Sequence, residues 1–201
     1  MKGSKEGVKR YIYGVAYNSG GKHKSTEGNV TTPSYSVWFD MIRRCYSKDF
    51  HKERPHHKDC TVCEEWLDFQ NFAEWYKSQP FTGRGTQLDK DILVKGNTIY
   101  SPETCIVVPK DINMFFVHAK KKSSGLPLGV RKITNYDGYQ VSVSNRGVNT
   151  YVGSSKTIEG AFLIYKTKKE AYAKSLAMQY KDQLCPRAFK AIMEWEVHID
   201  D

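Results

Sequence analysis

The chain has 201 residues and carries 31 Lys and Arg against 22 Asp and Glu, a formal net charge of +9. That balance favours a polyanionic partner, most simply nucleic acid, the plain alternative being a solvated basic surface. No run of about 18 apolar residues is present, so no membrane span is expected. The length suits one large or two small domains, and five Cys with no regular framework suit a reducing cytoplasm. The first ten residues are polar, with no secretion signal and frayed ends expected.

Residues 11–17 are rich in aromatics and predict a strand closed by Asn18, Ser19, Gly20 and Gly21. A Gly-, Ser- and Lys-rich loop to Pro33 follows, with Lys22, His23 and Lys24 as phosphate contacts or solvated residues. Ser34 is the expected N-cap of a helix running to about Tyr46, with Val37, Trp38, Met41, Ile42 and Cys45 on one face. A second helix is expected over residues 66–78; Trp66 and Trp75 fall at helical spacing and read as core rather than as base-stacking platforms. Cys60 and Cys63 have knuckle spacing, and with Cys45 and either His56 or His57 they make a conceivable tetrahedral zinc set, although a second knuckle is missing. The other reading is a buried Cys63 with an incidental Cys60. Arg84, between Gly83 and Gly85, reads either as a phosphate contact or as an ordinary linker residue.

Residues 86–116 predict a ββα unit. A strand over 88–94 ends in the turn Lys95-Gly96-Asn97, a second turn occupies 100–103, a buried strand covers 105–108, and Pro109 opens a helix. Ile112, Phe115 and Phe116 face that helix back onto the strands. Lys120, Lys121 and Lys122 then lie in a basic hinge over 119–126, a backbone-tracking arm or a solubilising linker. Three short strands follow, over 128–133, 139–144 and 150–153, with Asp137-Gly138 in the first hairpin turn. A long helix begins near Thr157, and Pro186 starts a last short helix. The fold class expected is α+β: a helical and ββα region over 1–118, then the hinge, then a three-stranded antiparallel sheet with a long helix over 127–201.

Two resemblances sharpen this. Asp89 on the first strand and Asn113 on the helix, around Tyr100-Ser101-Pro102-Glu103-Thr104-Cys105, resemble the HNH (His-Me finger) nuclease core in the divergent form common in phages. The pattern Trp38-x-x-Met41-x-x-Arg44-Cys45-Tyr46 resembles the same proteins. The likeness implies that Asp89 and Asn113 hold Mg²⁺ or Mn²⁺. Lys90 stands where that family has its general-base His, and Thr104 where a middle Asn holds the loop. A Lys is protonated at neutral pH, so Lys90 would hold phosphate rather than take a proton. Apart from the likeness, Asp89 and Asp91 are ordinary strand-edge acids and Asn113 a helix residue with a local hydrogen bond.

The second resemblance rests on Gly129-Val130-Arg131, Tyr139-x-Val141, Tyr151-Val152-Gly153 and Glu159-Gly160-Ala161-Phe162, which are similar to the ethylene-response-factor type of DNA-binding domain carried by some phage HNH homing endonucleases. It implies that the sheet enters the major groove and that Arg131, Gln140, Ser142, Ser144 and Arg146 face DNA. Together the resemblances imply a double-stranded-DNA-binding protein of phage or mobile-element type, cytoplasmic in a bacterial host. It would be either a metal-dependent endonuclease or a protein with a degenerate nuclease core; a factor binding a host protein is the further alternative.

Overall fold

The computed structural model describes residues 10–116, 125–135, 137–145 and 147–201, with the backbone alone at Asn145. The fold is mixed α+β and divides into two compact units, Met1–Val108 and Pro109–Asp201.

In the first unit a short ribbon pairs β1 (Thr26–Glu27) with β2 (Val30–Thr31). Helix α1 (Pro33–Tyr46) follows, its first turn set by Pro33 rather than by a side-chain cap, so Ser34 lies inside the helix instead of capping it. Trp38, Met41, Ile42 and Cys45 recur at helical spacing and are all buried. Ser47 ends α1 and also caps α2 (Lys48–Glu53) by accepting from the Phe50 N–H at 3.3 Å. After β3 (Thr61–Val62), a 3₁₀ turn (Glu64–Leu67) precedes α3 (Phe69–Lys77). The single helix expected over 66–78 is broken because Asp68 is extended and caps α3 through the Gln70 N–H.

Trp38 and Trp66 are both core residues, with the Trp38 indole N–H donating to the Trp66 carbonyl at 2.7 Å. Trp75 packs 4.5 Å from the Trp66 ring. Residues 11–17 make two isolated bridges, Ile12 with Ala16 and Tyr17 with Asp68, rather than the expected strand. Tyr13 and Gly14, both at positive φ, reverse the chain too sharply for one.

The first unit closes with β4 (Thr86–Asp89), β5 (Ile99–Tyr100) and β6 (Ile106–Pro109). β4 pairs with β6, as a ββ unit should, while β5 runs parallel to β3. The first strand is shorter than expected, because the chain leaves the ladder at Asp89.

The second unit begins with α4 (Lys110–Phe116), which the sequence reading placed in the first domain. Phe116 meets Trp195 edge-on at 5.0 Å, and the Tyr180 hydroxyl donates to Asp111 at 2.8 Å. β7 (Val130–Lys132), β8 (Tyr139–Asn145) and β9 (Val148–Ser155) form an antiparallel sheet in the order β7-β8-β9. Thr157 caps α5 (Ile158–Gln179) by accepting from the Gly160 N–H at 3.1 Å, and α6 (Pro186–Met193) follows. Val130, Val141 and Val143 bury one face of the sheet against Ala161 and Tyr165 of α5.

Candidate nucleic-acid interface

The loop between β4 and β5 holds two of the residues on which a nuclease reading rests. Asp89 ends β4, and its Oδ1 accepts from the N–H groups of Asp91 at 2.8 Å and Ile92 at 2.7 Å. It caps the turn that ends the strand. Burial raises its pKa above the usual carboxylate value, against the pull of those two N–H groups. Lys90 Nζ donates to both carboxylate oxygens of Asp91, at 2.8 and 2.9 Å, and to the Asn97 carbonyl. An ammonium has three N–H donors, and here three acceptors meet them. With its side chain only 12% exposed, Lys90 is a strut across the loop rather than a loose point charge.

The residue that fastens this loop is Asn97. Its Nδ2 donates to the carbonyls of Lys90 at 3.0 Å and Ile99 at 2.7 Å, and its Oδ1 accepts from the Ile99 N–H at 3.1 Å. The family likeness implies a loop-holding Asn at the place of Thr104. Thr104 instead donates its hydroxyl to the Ile99 carbonyl at 2.6 Å and closes the next turn with Ser101. Sequence reading saw Asn97 only as a turn residue; its place between two strands with a carboxylate-lysine pair ahead of it was the available signal.

Asn113 lies on α4, half-buried, in the unit that does not contain Asp89. Neither unit by itself therefore holds both implied metal ligands. Among the described residues, no group of three or more His, Cys, Asp and Glu is placed to hold a metal ion. This applies equally to the zinc set. Cys60 Sγ lies 4.0 Å from His57 Nδ1, and Cys45 is buried beside Cys60. Burial pushes the Cys45 thiol up to about 12, and raises those of Cys60 and Cys63. Zinc needs thiolates, and burial works against that form at all three, Cys45 and Cys60 being buried and Cys63 partly so. Burial, followed by the charges of His56, Arg44 and Lys90, pushes His57 down to about 4.

The polar face in the second unit is the outer side of the sheet. Arg131 pairs across the ladder with Gln140, and its Nη2 donates to Gln140 Oε1 at 2.9 Å. Gln140 is opposite Ser154, Ser142 opposite Tyr151, and Ser144 opposite Asn149. Arg131, Ser144, Asn149 and Ser154 are exposed, and Tyr151 is 58% exposed. None of the three strands contains Asp or Glu.

No known protein family, curated protein or solved structure matches this chain.

The faces of the sheet explain what sequence alone concealed. A bulge between Val141 and Ser142 sets Gly153 opposite Val141 and Tyr151 opposite Ser142, leaving Val152 as the extra residue. Strict alternation from Tyr151 would turn Ser154 inward; the bulge puts both on the outer face. Arg84 is exposed on the loop leading into β4. Lys120, Lys121, Lys122 and Arg146 lie outside the described residues.

Proposed function

We propose that the chain binds double-stranded DNA through the outer face of β7, β8 and β9. On this reading it is a phage or mobile-element protein related to HNH homing endonucleases whose nuclease core does not cut. The observation that carries the reading is an acid-free, exposed sheet face bearing an Arg131–Gln140 pair and an outward Tyr151. A ribbon of this width fits the major groove. Arg131 spends one N–H on Gln140 and keeps four for guanine or phosphate. The net charge of +9 supplies the long-range attraction. Lys90 and Asp89 support the non-cutting form, because a lysine strut held by three acceptors and a turn-capping carboxylate stand where a general base would be needed.

The test is fluorescence anisotropy with duplex DNA over a range of salt, alongside plasmid cleavage in Mg²⁺ and Mn²⁺. Salt-sensitive binding without nicking is expected. Nicking that disappears in Asp89→Ala would restore the endonuclease reading. Absence of both binding and nicking would favour a factor acting on a host protein.

A further inference from the structure

The first unit contains a cleft of about 410 Å³ between one side of α1 and the segment 83–88. Its lining joins apolar residues, Met41 and Leu88 among them, to Ser36, Asp40, Arg44 and Arg84. Asp40 is paired with Arg43, at 2.9 Å. The lining also carries two guanidinium groups, Arg44 and Arg84, of the kind that bind carboxylate or phosphate. Arg44 also faces the Tyr100 hydroxyl, and a guanidinium has five N–H donors in all. Arg84 comes from a loop pinned to α3, since the Tyr76 hydroxyl accepts from the Gly83 N–H at 3.0 Å and lies 3.0 Å from the Thr86 hydroxyl. Nothing stands within 4 Å of where a Cβ would be at Gly83 or Gly85, so a ligand can approach this backbone closely.

We infer that this cleft takes a nucleoside monophosphate, either free or as one unit of a single strand, with phosphate on Arg44 and Arg84 and the base on the apolar lining. Small-ligand sites run from about 300 to 1,000 Å³ and combine apolar lining with a few placed polar groups. A bare phosphate would leave the apolar part unused, and an apolar ligand would strand two guanidinium groups without an anion. The site lies within the first unit and is independent of the sheet proposed to hold duplex DNA.

Calorimetric titration of the full chain with dAMP, deoxyadenosine, inorganic phosphate and a single-stranded oligonucleotide of about six nucleotides tests this. Saturable binding of dAMP, with the nucleoside and phosphate each about tenfold weaker or more, identifies the free nucleotide. Saturation by the oligonucleotide alone identifies a unit within a strand. Arg84→Glu, on an exposed loop, and Ser36→Phe, which fills the cleft from an exposed helix position, should each weaken binding about tenfold or more. Arg131→Ala should leave it unchanged, so failure of the sheet reading would not be mistaken for failure of this one. The inference is overturned if neither dAMP nor the oligonucleotide saturates, if phosphate binds as tightly as dAMP, or if both cleft variants bind like the parent.

Discussion

Gly129 controls whether the sheet can lie on α5, and Gly129→Ala should disrupt that packing. A Cβ there would fall 2.2 and 2.3 Å from two ring carbons of Tyr165 and 2.5 Å from the Ser142 carbonyl oxygen. The carbonyl is backbone in the ladder and cannot retreat; the ring is buried among Val141, Val143 and Ala161. The residue also sits at φ +73°, where an L side chain costs about 1–2 kcal/mol. Overpacking adds about 1–3 kcal/mol, so the expected loss is about 2–5 kcal/mol, a large part of a typical domain's stability. Native-state hydrogen exchange at the Val141 and Val143 amides measures it, because those groups exchange through opening of this sheet. Adding Tyr165→Leu should recover about 1 kcal/mol or more by removing the ring, while the φ penalty and the carbonyl contact persist. A loss below about 0.5 kcal/mol in the single variant, or no coupling in the double, would show that the ring and backbone do not define the packing distance.

Asn97→Ala removes three hydrogen bonds from one loop and should cost about 2–3 kcal/mol, read by urea titration with faster proteolysis across 90–99; an unaltered midpoint would deny Asn97 its fastening role. His57 has a folded pKa depressed to about 4 from 6.5, so the unfolded chain binds its proton first as pH falls. The stability it confers is complete above about pH 6.5 and declines between there and about pH 4, by about 1–2 kcal/mol after allowance for its partial exposure. His57→Gln should flatten that part of the stability-versus-pH curve, and an unchanged slope would contradict the assignment. Arg131→Ala should weaken duplex binding by about 1–3 kcal/mol, and Tyr151→Ala should weaken it as well. Anisotropy at fixed salt reads both, and retention of full affinity in the pair would move the interface elsewhere.

The fold was legible where one local signal decided the outcome. Thr157 ahead of a helical run and the apolar spacing of Trp38, Met41, Ile42 and Cys45 each specify local geometry. It was illegible where distant backbone competes. Residues 11–17 have strand composition, yet Tyr17 finds its partner at Asp68 and the chain reverses at Tyr13 and Gly14. β5 has two residues and exists because β3 runs alongside it, which no periodicity can announce. α4 presents an apolar face as expected, but the aromatic partner of Phe115 and Phe116 is Trp195, far along the sequence.

The same distinction governs the site. Residue types at matched spacing identified Asp89 and Lys90 as chemically notable, and geometry then decided what each spends its hydrogen bonds on. A carboxylate with one oxygen on two backbone N–H groups acts on its own turn. A lysine bridging a carboxylate and a carbonyl across a loop substitutes for packing that a short loop cannot supply. Removing such a lysine would leave the Asp91 carboxylate and the Asn97 carbonyl without their shared donor, a loss felt in stability before any effect on chemistry. At the position where the proposed relationship to HNH nucleases would place a proton-accepting imidazole, Lys90 fixes a loop instead. On the outer, acid-free face of the second unit's sheet, the side-chain pair of Arg131 with Gln140 leaves further guanidinium N–H groups to donate, and this is why the duplex-binding role is proposed there.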